Sequence, residues 1–319
     1  MGLINFFKEL LADEKQRVAA LSICSNTLLV ALKLVAGVLT NSVSIISEAI
    51  HSALDLVAAI IAFTAVKISS RPPDSRHRYG HGKFENVSGT IEALLIFVAA
   101  IWIIIEAYKK IVEGAGVETI GFGIGVMAFA SLVNWIISGI LMKTARKTDS
   151  VALEADALHL RTDVYTSVGV LFGLLLLSIT DIQILDPLIA IAVALLIIKT
   201  AYELTIKALV PLLDVALPPE EEAEIENALQ LINTEGIVGF HQLRTRKAGA
   251  ERYVDMHLVV QRDMTIAEVH DLCDRIEQEI EDRLPMVHVL VHAEPCEDED
   301  CSDCKPGCER IRVTEKENV

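Results

Sequence analysis

Two stretches, SEAIHSALD (47–55) and ADALHLRTD (155–163), decide how the chain is read. Each carries an acid, a histidine three residues later and an aspartate four residues after that: Glu48, His51 and Asp55 in the first, Asp156, His159 and Asp163 in the second. Both lie inside long apolar runs, where an ionisable side chain is costly and is kept for a function. On a helix, positions i and i+4 share a face with Cβ atoms roughly 5–6 Å apart, so each His/Asp pair can hold one small cation from its side. Two such helices supply four nitrogen and oxygen ligands, His51, Asp55, His159 and Asp163, the tetrahedral set that Zn²⁺ prefers. Hydrogen bonding between neighbouring helices would account for one such pair far better than for two matched ones.

Outward from these stretches the apolar runs multiply. A spanning helix needs roughly 20 apolar residues, and six windows qualify: 18–40, 43–68, 86–108, 118–142, 150–179 and 184–206. Lys67, Arg71, Arg76, Arg78 and Lys83 flank one set of connections and Lys143, Arg146 and Lys147 another, whereas the alternate connections are short or acidic. The positive-inside rule then puts the basic loops and both termini in the cytoplasm of a multi-pass protein of the cell membrane. Spans two and five run in opposite directions, with each His/Asp pair roughly 14–20 Å from the start of its own span, so the pairs are expected to meet near mid-membrane. Lys33 and Arg161 are expected to snorkel or to balance acidic groups, and Glu48 and Asp156 to stand outside the ligand set.

Composition agrees with this division. The 319 residues are 52% hydrophobic yet carry a formal charge of −16, which requires charge and apolarity to be segregated along the chain. The acidic balance argues against nucleic acid as a partner, and the first 16 residues have neither the apolar core nor the cleavage site of a signal peptide. We read an N-terminal cytoplasmic segment (1–16), an all-α six-helix transmembrane domain (17–208), a small cytoplasmic α+β domain (209–295) and an acidic, cysteine-rich tail (296–319). The α+β domain reads as helix (219–232), strand (239–247), strand (252–261), helix (265–283) and strand (287–293), a ferredoxin-like αββαβ order with a hairpin turn around Gly249. In the tail, CEDEDCSDCKPGC (296–308) brings Cys296, Cys301, Cys304 and Cys308 close enough for four thiolates to hold one Zn²⁺, in a compartment that disfavours disulfides.

Six spans, paired His/Asp motifs on spans two and five and a small α+β domain resemble the cation diffusion facilitator family, from about Arg17 to Pro295. The resemblance implies a homodimer in the lipid bilayer that exports a divalent metal from the cytoplasm by alternating access in exchange for protons. It also implies further metal positions. Asp74, His77 and His81 in the loop RPPDSRHRYGHGKFE (71–85) resemble an interfacial site, and His241, His257, His270, His292 and Glu294 a cytoplasmic cluster; Lys83 and Asp214 match a charge pair that locks the dimer. His51 stands where some relatives that also admit cadmium have aspartate, which points to zinc. His288 has no counterpart and reads as an ordinary strand residue.

Proton coupling has an independent physical basis, because zinc binds neutral imidazole and ionised carboxylate and so competes with protons for the same lone pairs. The cargo is read as Zn²⁺, with Cd²⁺, Co²⁺ and Fe²⁺ as alternatives that ligand chemistry alone does not separate. Two other functions were weighed. An intramembrane zinc enzyme would keep an open coordination position beside a general base, and the sequence has neither H-E-x-x-H nor a three-ligand arrangement in the spans. A non-transporting metal sensor or scaffold would carry the same ligands and differ only in passing no ion.

Overall fold

The computed structural model of the protein describes residues 13–40, 43–113, 122–180, 184–231 and 236–296. Six long helices come first: α1 (Glu14–Thr40), α2 (Val43–Ser69), α3 (Lys83–Glu113), α4 (Phe122–Thr148), α5 (Val151–Thr180) and α6 (Leu185–Leu209), the last closed by a 3-10 turn (Val210–Leu213). Local chemistry sets several of their ends. The Asp13 carboxylate accepts the Lys15 N–H at 2.9 Å where α1 starts, and the Ser150 hydroxyl accepts the Leu153 N–H at 3.4 Å where α5 starts, both N-cap arrangements. Pro72 and Pro73 follow α2 and cannot continue it. Between α4 and α5 the chain turns through Asp149 at φ 51°, which aspartate tolerates better than most residues.

By length and composition, α1, α2, α3, α4 and α6 can each cross a membrane. The first half of α5 carries Glu154, Asp156, Arg161 and Asp163, and packing seats it among the others. One buried cluster joins α1, α2, α4 and α5 through Ala19, Val66, Leu141 and Leu153. Another joins α3, α5 and α6 through Ala93, Ile96, Ala155, Ile197 and Ala201. Helix α5 is therefore common to both, and it brings its ionisable residues to the interior. At Gly89 on α3 an added Cβ would lie 2.9 Å from Val151 Cγ1 and 3.2 Å from Ala208 Cβ, so only glycine permits this approach. Small residues at helix contacts are the usual means of packing in lipid, where burial from water gives no drive.

A buried carboxylate ties the helix ends together. Glu85, 1% exposed, accepts from Lys15 Nζ of α1 at 3.2 Å, from Ser69 Oγ of α2 at 2.7 Å and from the Ser150 hydroxyl ahead of α5.

The chain divides after Leu212 into a second compact unit, with α7 (Pro219–Leu231), β1 (Ile237–Ala248), β2 (Glu251–Val260), α8 (Ile266–Arg283) and β3 (Val287–Pro295). This is the expected αββαβ order. The sheet runs β1-β2-β3, with β1 antiparallel to β2 and β3 parallel to β2. Leu272, Ile276 and Ile280, four residues apart on α8, pack with Ile225 and Ala228 of α7 on Val254, Met256 and Leu258. Thr265 and Glu268 close a capping box at the start of α8. Arg252, buried, forms a two-pronged pair with Glu221 at 2.7 and 2.8 Å, fixing α7 to the sheet.

Candidate metal centre

The α2 and α5 pairs face each other. Ligand atoms of His51, Asp55 and Asp163 lie within 4.8 Å of one another, and His159 Nε2 is 3.2 Å from Asp55 Oδ1. The i, i+4 spacing turns both residues of each pair to one helix face, and the shared packing of α5 brings the faces together. Asp55 and His159 are buried, while Asp163 is half-buried and His51 exposed. Asp163 Oδ2 and His159 Nδ1 are buried and make no hydrogen bond among the described residues, a condition that costs stability unless a ligand answers it. The Glu48 side chain lies outside the described residues.

Lys33 takes the second of the two roles expected of it, balancing an acidic group. It does not snorkel: it is buried and donates from Nζ to Ser52 Oγ at 2.7 Å, beside His51 in the chain, with its charge within reach of Asp163. Composition places a lysine on α1, but only the packing of α1 against α2 reveals where its ammonium goes.

In the α2–α3 loop, Asp74 Oδ1 accepts the backbone N–H groups of Arg76 at 2.8 Å and His77 at 2.7 Å. Those two bonds, that of His77 being the larger influence, hold the Asp74 carboxyl below the usual carboxylate range. The turn continues through Gly80 at φ 78° and stacks His81 against His77, ring centroids 4.5 Å apart. Asp74 thereby lies 3.5 Å from His77 Nδ1 and 3.3 Å from His81 Nε2, and the three offer ligand atoms to one point.

In the α+β unit, strand register aligns three histidines. His241 of β1 is the cross-strand partner of His257, which in turn partners His292 of β3. Glu294, two residues further on and on the same face, draws the row together: its Oε2 accepts from His241 Nε2 at 3.0 Å and its Oε1 from His257 Nδ1 at 2.9 Å. His292 Nε2 lies 3.5 Å from the same Oε1. Burial would raise the Glu294 carboxyl, but the hydrogen bonds from His241 and His257 outweigh it and hold the group below its ordinary value. A bulge follows His241, with Gln242 at φ 51°, a break in β1 that no residue pattern around it announces.

His270 is not drawn into that group. It sits exposed on α8, 3.4 Å from Asp274. His288 stacks on Tyr253 at 5.1 Å, as a strand residue would. Asp214 pairs within its own unit with Arg246 at 3.7 Å. Cys296 is buried at the end of β3, its N–H bonded to Val260 O at 2.9 Å, so it belongs to the packed unit. Cys301, Cys304 and Cys308 lie outside the described residues.

Residues 19–213 match the family model for the cation efflux transmembrane domain, and residues 217–296 that for the cation efflux protein cytoplasmic domain. The chain belongs to the cation diffusion facilitator family. An uncharacterized transporter of Synechocystis, sll1263, is 36% identical over 280 residues, covering 88% of this chain and 90% of the relative. The cation-efflux pump FieF of Salmonella newport is 31% identical over 279 residues, covering 88% and 91%. Among solved structures, CzrB matches at 35% identity over 26% of this chain and 100% of its own, with a TM-score of 0.25. As a cation diffusion facilitator the protein is a multi-pass membrane transporter of divalent metal, a homodimer and not an enzyme.

Proposed function

We propose that this facilitator exports Zn²⁺ from the cytoplasm of the cell in exchange for protons, by alternating access, with both termini cytoplasmic and His51, Asp55, His159 and Asp163 as the transport site. One observation carries the reading: His51, Asp55 and Asp163 converge within 4.8 Å while His159 reaches Asp55, giving two nitrogen and two oxygen donors from two antiparallel helices. That set suits zinc, and because zinc binds neutral imidazole and ionised carboxylate, protons compete with the metal for the same lone pairs. The basic loops support the topology. The interfacial set of Asp74, His77 and His81, and the cytoplasmic set of His241, His257, Glu294 and His292, are further zinc positions that stabilise and regulate the dimer.

⁶⁵Zn uptake into proteoliposomes under an imposed pH gradient tests the reading. Gradient-driven uptake is expected; binding without uptake would indicate a sensor or scaffold. Selectivity offers a second check. Replacing the imidazole with a harder carboxylate, His51→Asp, is expected to raise Cd²⁺ flux several-fold relative to Zn²⁺, as ligand type rather than raw affinity sets selectivity. An unchanged flux ratio would move selectivity elsewhere.

Acid should unload the cytoplasmic set. Glu294 is held below its ordinary value by the hydrogen bonds from His241 and His257, so its carboxylate stays ionised further into acid than a free one. Zinc bound there is expected to be present at neutral pH and lost on acidification, as protons take the lone pairs the metal needs. Zinc titrations of the full-length protein at several pH values measure this; in the His241→Ala, His257→Ala double variant the corresponding step should vanish while flux is only reduced.

A further inference from the structure

Two buried carboxyl groups take no part in the four-ligand set. Glu92 of α3 has no exposed surface; Ser88 Oγ reaches its Oε1 at 3.3 Å, and its Oε2 makes no hydrogen bond. Asp156 of α5 is 1% exposed, and neither of its oxygens has a hydrogen bond of good geometry among the described residues. Ser22 Oγ on α1 is close enough to bear on the Asp156 carboxyl, and is itself buried with no hydrogen bond of good geometry among the described residues. Asn26, one turn further along the same face of α1, leaves a buried amide nitrogen unbonded. Glu92 lies within electrostatic reach of both Asp156 and His159.

Glu85 provides the contrast. It is equally buried but meets three donors and has a structural role. Glu92 and Asp156 are met by no charged donor among the described residues, only by the hydroxyls of Ser88 and Ser22, and a buried carboxyl group so poorly partnered is strongly unfavourable unless a counter-charge reaches it. A divalent ion at the four-ligand set answers Asp55 and Asp163. Two acidic groups remain.

We propose that Glu92 and Asp156, with the side-chain oxygen of Ser22, form a second, inner subsite for a divalent cation. An all-oxygen set suits a hard or partly hydrated ion and binds zinc more weakly than a set with imidazoles. Weak, adjacent sites are what conduction requires, since an ion must leave as well as enter. The subsite lies between the four-ligand set and the helix ends at Glu14, Lys83 and Val151, as Asp156 precedes His159 on α5. Its role as an entry point rests on the proposed topology, which puts those ends in the cytoplasm.

Equilibrium dialysis of the full-length protein against ⁶⁵Zn, paired with proteoliposome flux, tests the proposal. Glu92→Gln and Asp156→Asn are each expected to bind one zinc fewer per protomer at saturating metal and to raise the half-saturating concentration for flux roughly tenfold. The double variant should lose no more than either single one, because both serve one ion. Asp163→Ala should lose flux yet keep the inner ion, so that adding Glu92→Gln removes a further zinc; intact flux in Asp163→Ala would instead overturn the transport assignment. An unchanged zinc count with an altered pH profile of flux would mean that the two carboxyls hold protons, and would overturn the subsite. Should Glu92→Gln fail to yield the dimer, Ser22→Ala and Asp156→Asn decide by the same count.

Discussion

Asp163→Ala and Asp55→Ala are each expected to reduce Zn²⁺ flux by more than about 100-fold while leaving a folded dimer. Even outer partners of metal ligands cost 10–100-fold when removed, and a direct ligand costs more. The two variants fail for different reasons. Asp163 Oδ2 makes no hydrogen bond among the described residues, so its removal takes away a ligand and little structure. Asp55 also bonds His159 at 3.2 Å, so its loss frees the imidazole as well and should weaken binding further. Transport of ⁶⁵Zn together with size-exclusion chromatography separates lost function from lost fold. Near-normal transport by either variant would sink the four-ligand assignment.

The largest effect on stability is expected at Glu85. Its carboxylate, 1% exposed, is the common acceptor for Lys15, Ser69 and Ser150. Glu85→Ala would leave the Lys15 ammonium without this partner and the Ser150 hydroxyl without its acceptor, while the Ser69 hydroxyl keeps Val66 O at 3.0 Å. Breaking a buried charge pair on one side costs about 3–5 kcal/mol; Lys15 retains some exposure, 17% for its side chain, which argues for the lower end. Thermal unfolding in detergent should show a clear fall in midpoint, with Glu85→Gln intermediate because it keeps hydrogen bonding and loses charge. An unchanged midpoint for Glu85→Ala would mean that the helix ends are held by apolar packing alone.

Local periodicity accounts for what could be read without coordinates. The i, i+4 spacing in 47–55 and 155–163 decides which side chains share a helix face, and it needs no knowledge of neighbours. Strand alternation likewise put His292 and Glu294 on one face. Lys33, Glu85 and Glu92 escaped because their partners lie far away in sequence: Ser52 for the first, Lys15 and Ser150 for the second, His159 and Asp156 for the third. Nothing in the residues around them announces those meetings. Cys296 was grouped with the other tail cysteines by spacing alone, whereas the hydrogen bond to Val260 and the burial of its side chain tie it to β3. His270 falls in the same class: its position suggested a cluster, and the fold turns it toward Asp274 instead.

The glycine at position 89 distributes stiffness unevenly through the membrane unit. Where α3 passes Val151 and Ala208 there is no space for even one more methyl group, and close-packed contacts of this kind resist deformation. Between α2 and α5 the bridge is instead a set of imidazoles and carboxylates, whose mutual attraction changes sign and strength with each proton or ion that arrives. If the four-ligand set carries the cargo as proposed, motion coupled to transport is expected where the cargo itself sets the adhesion between helices.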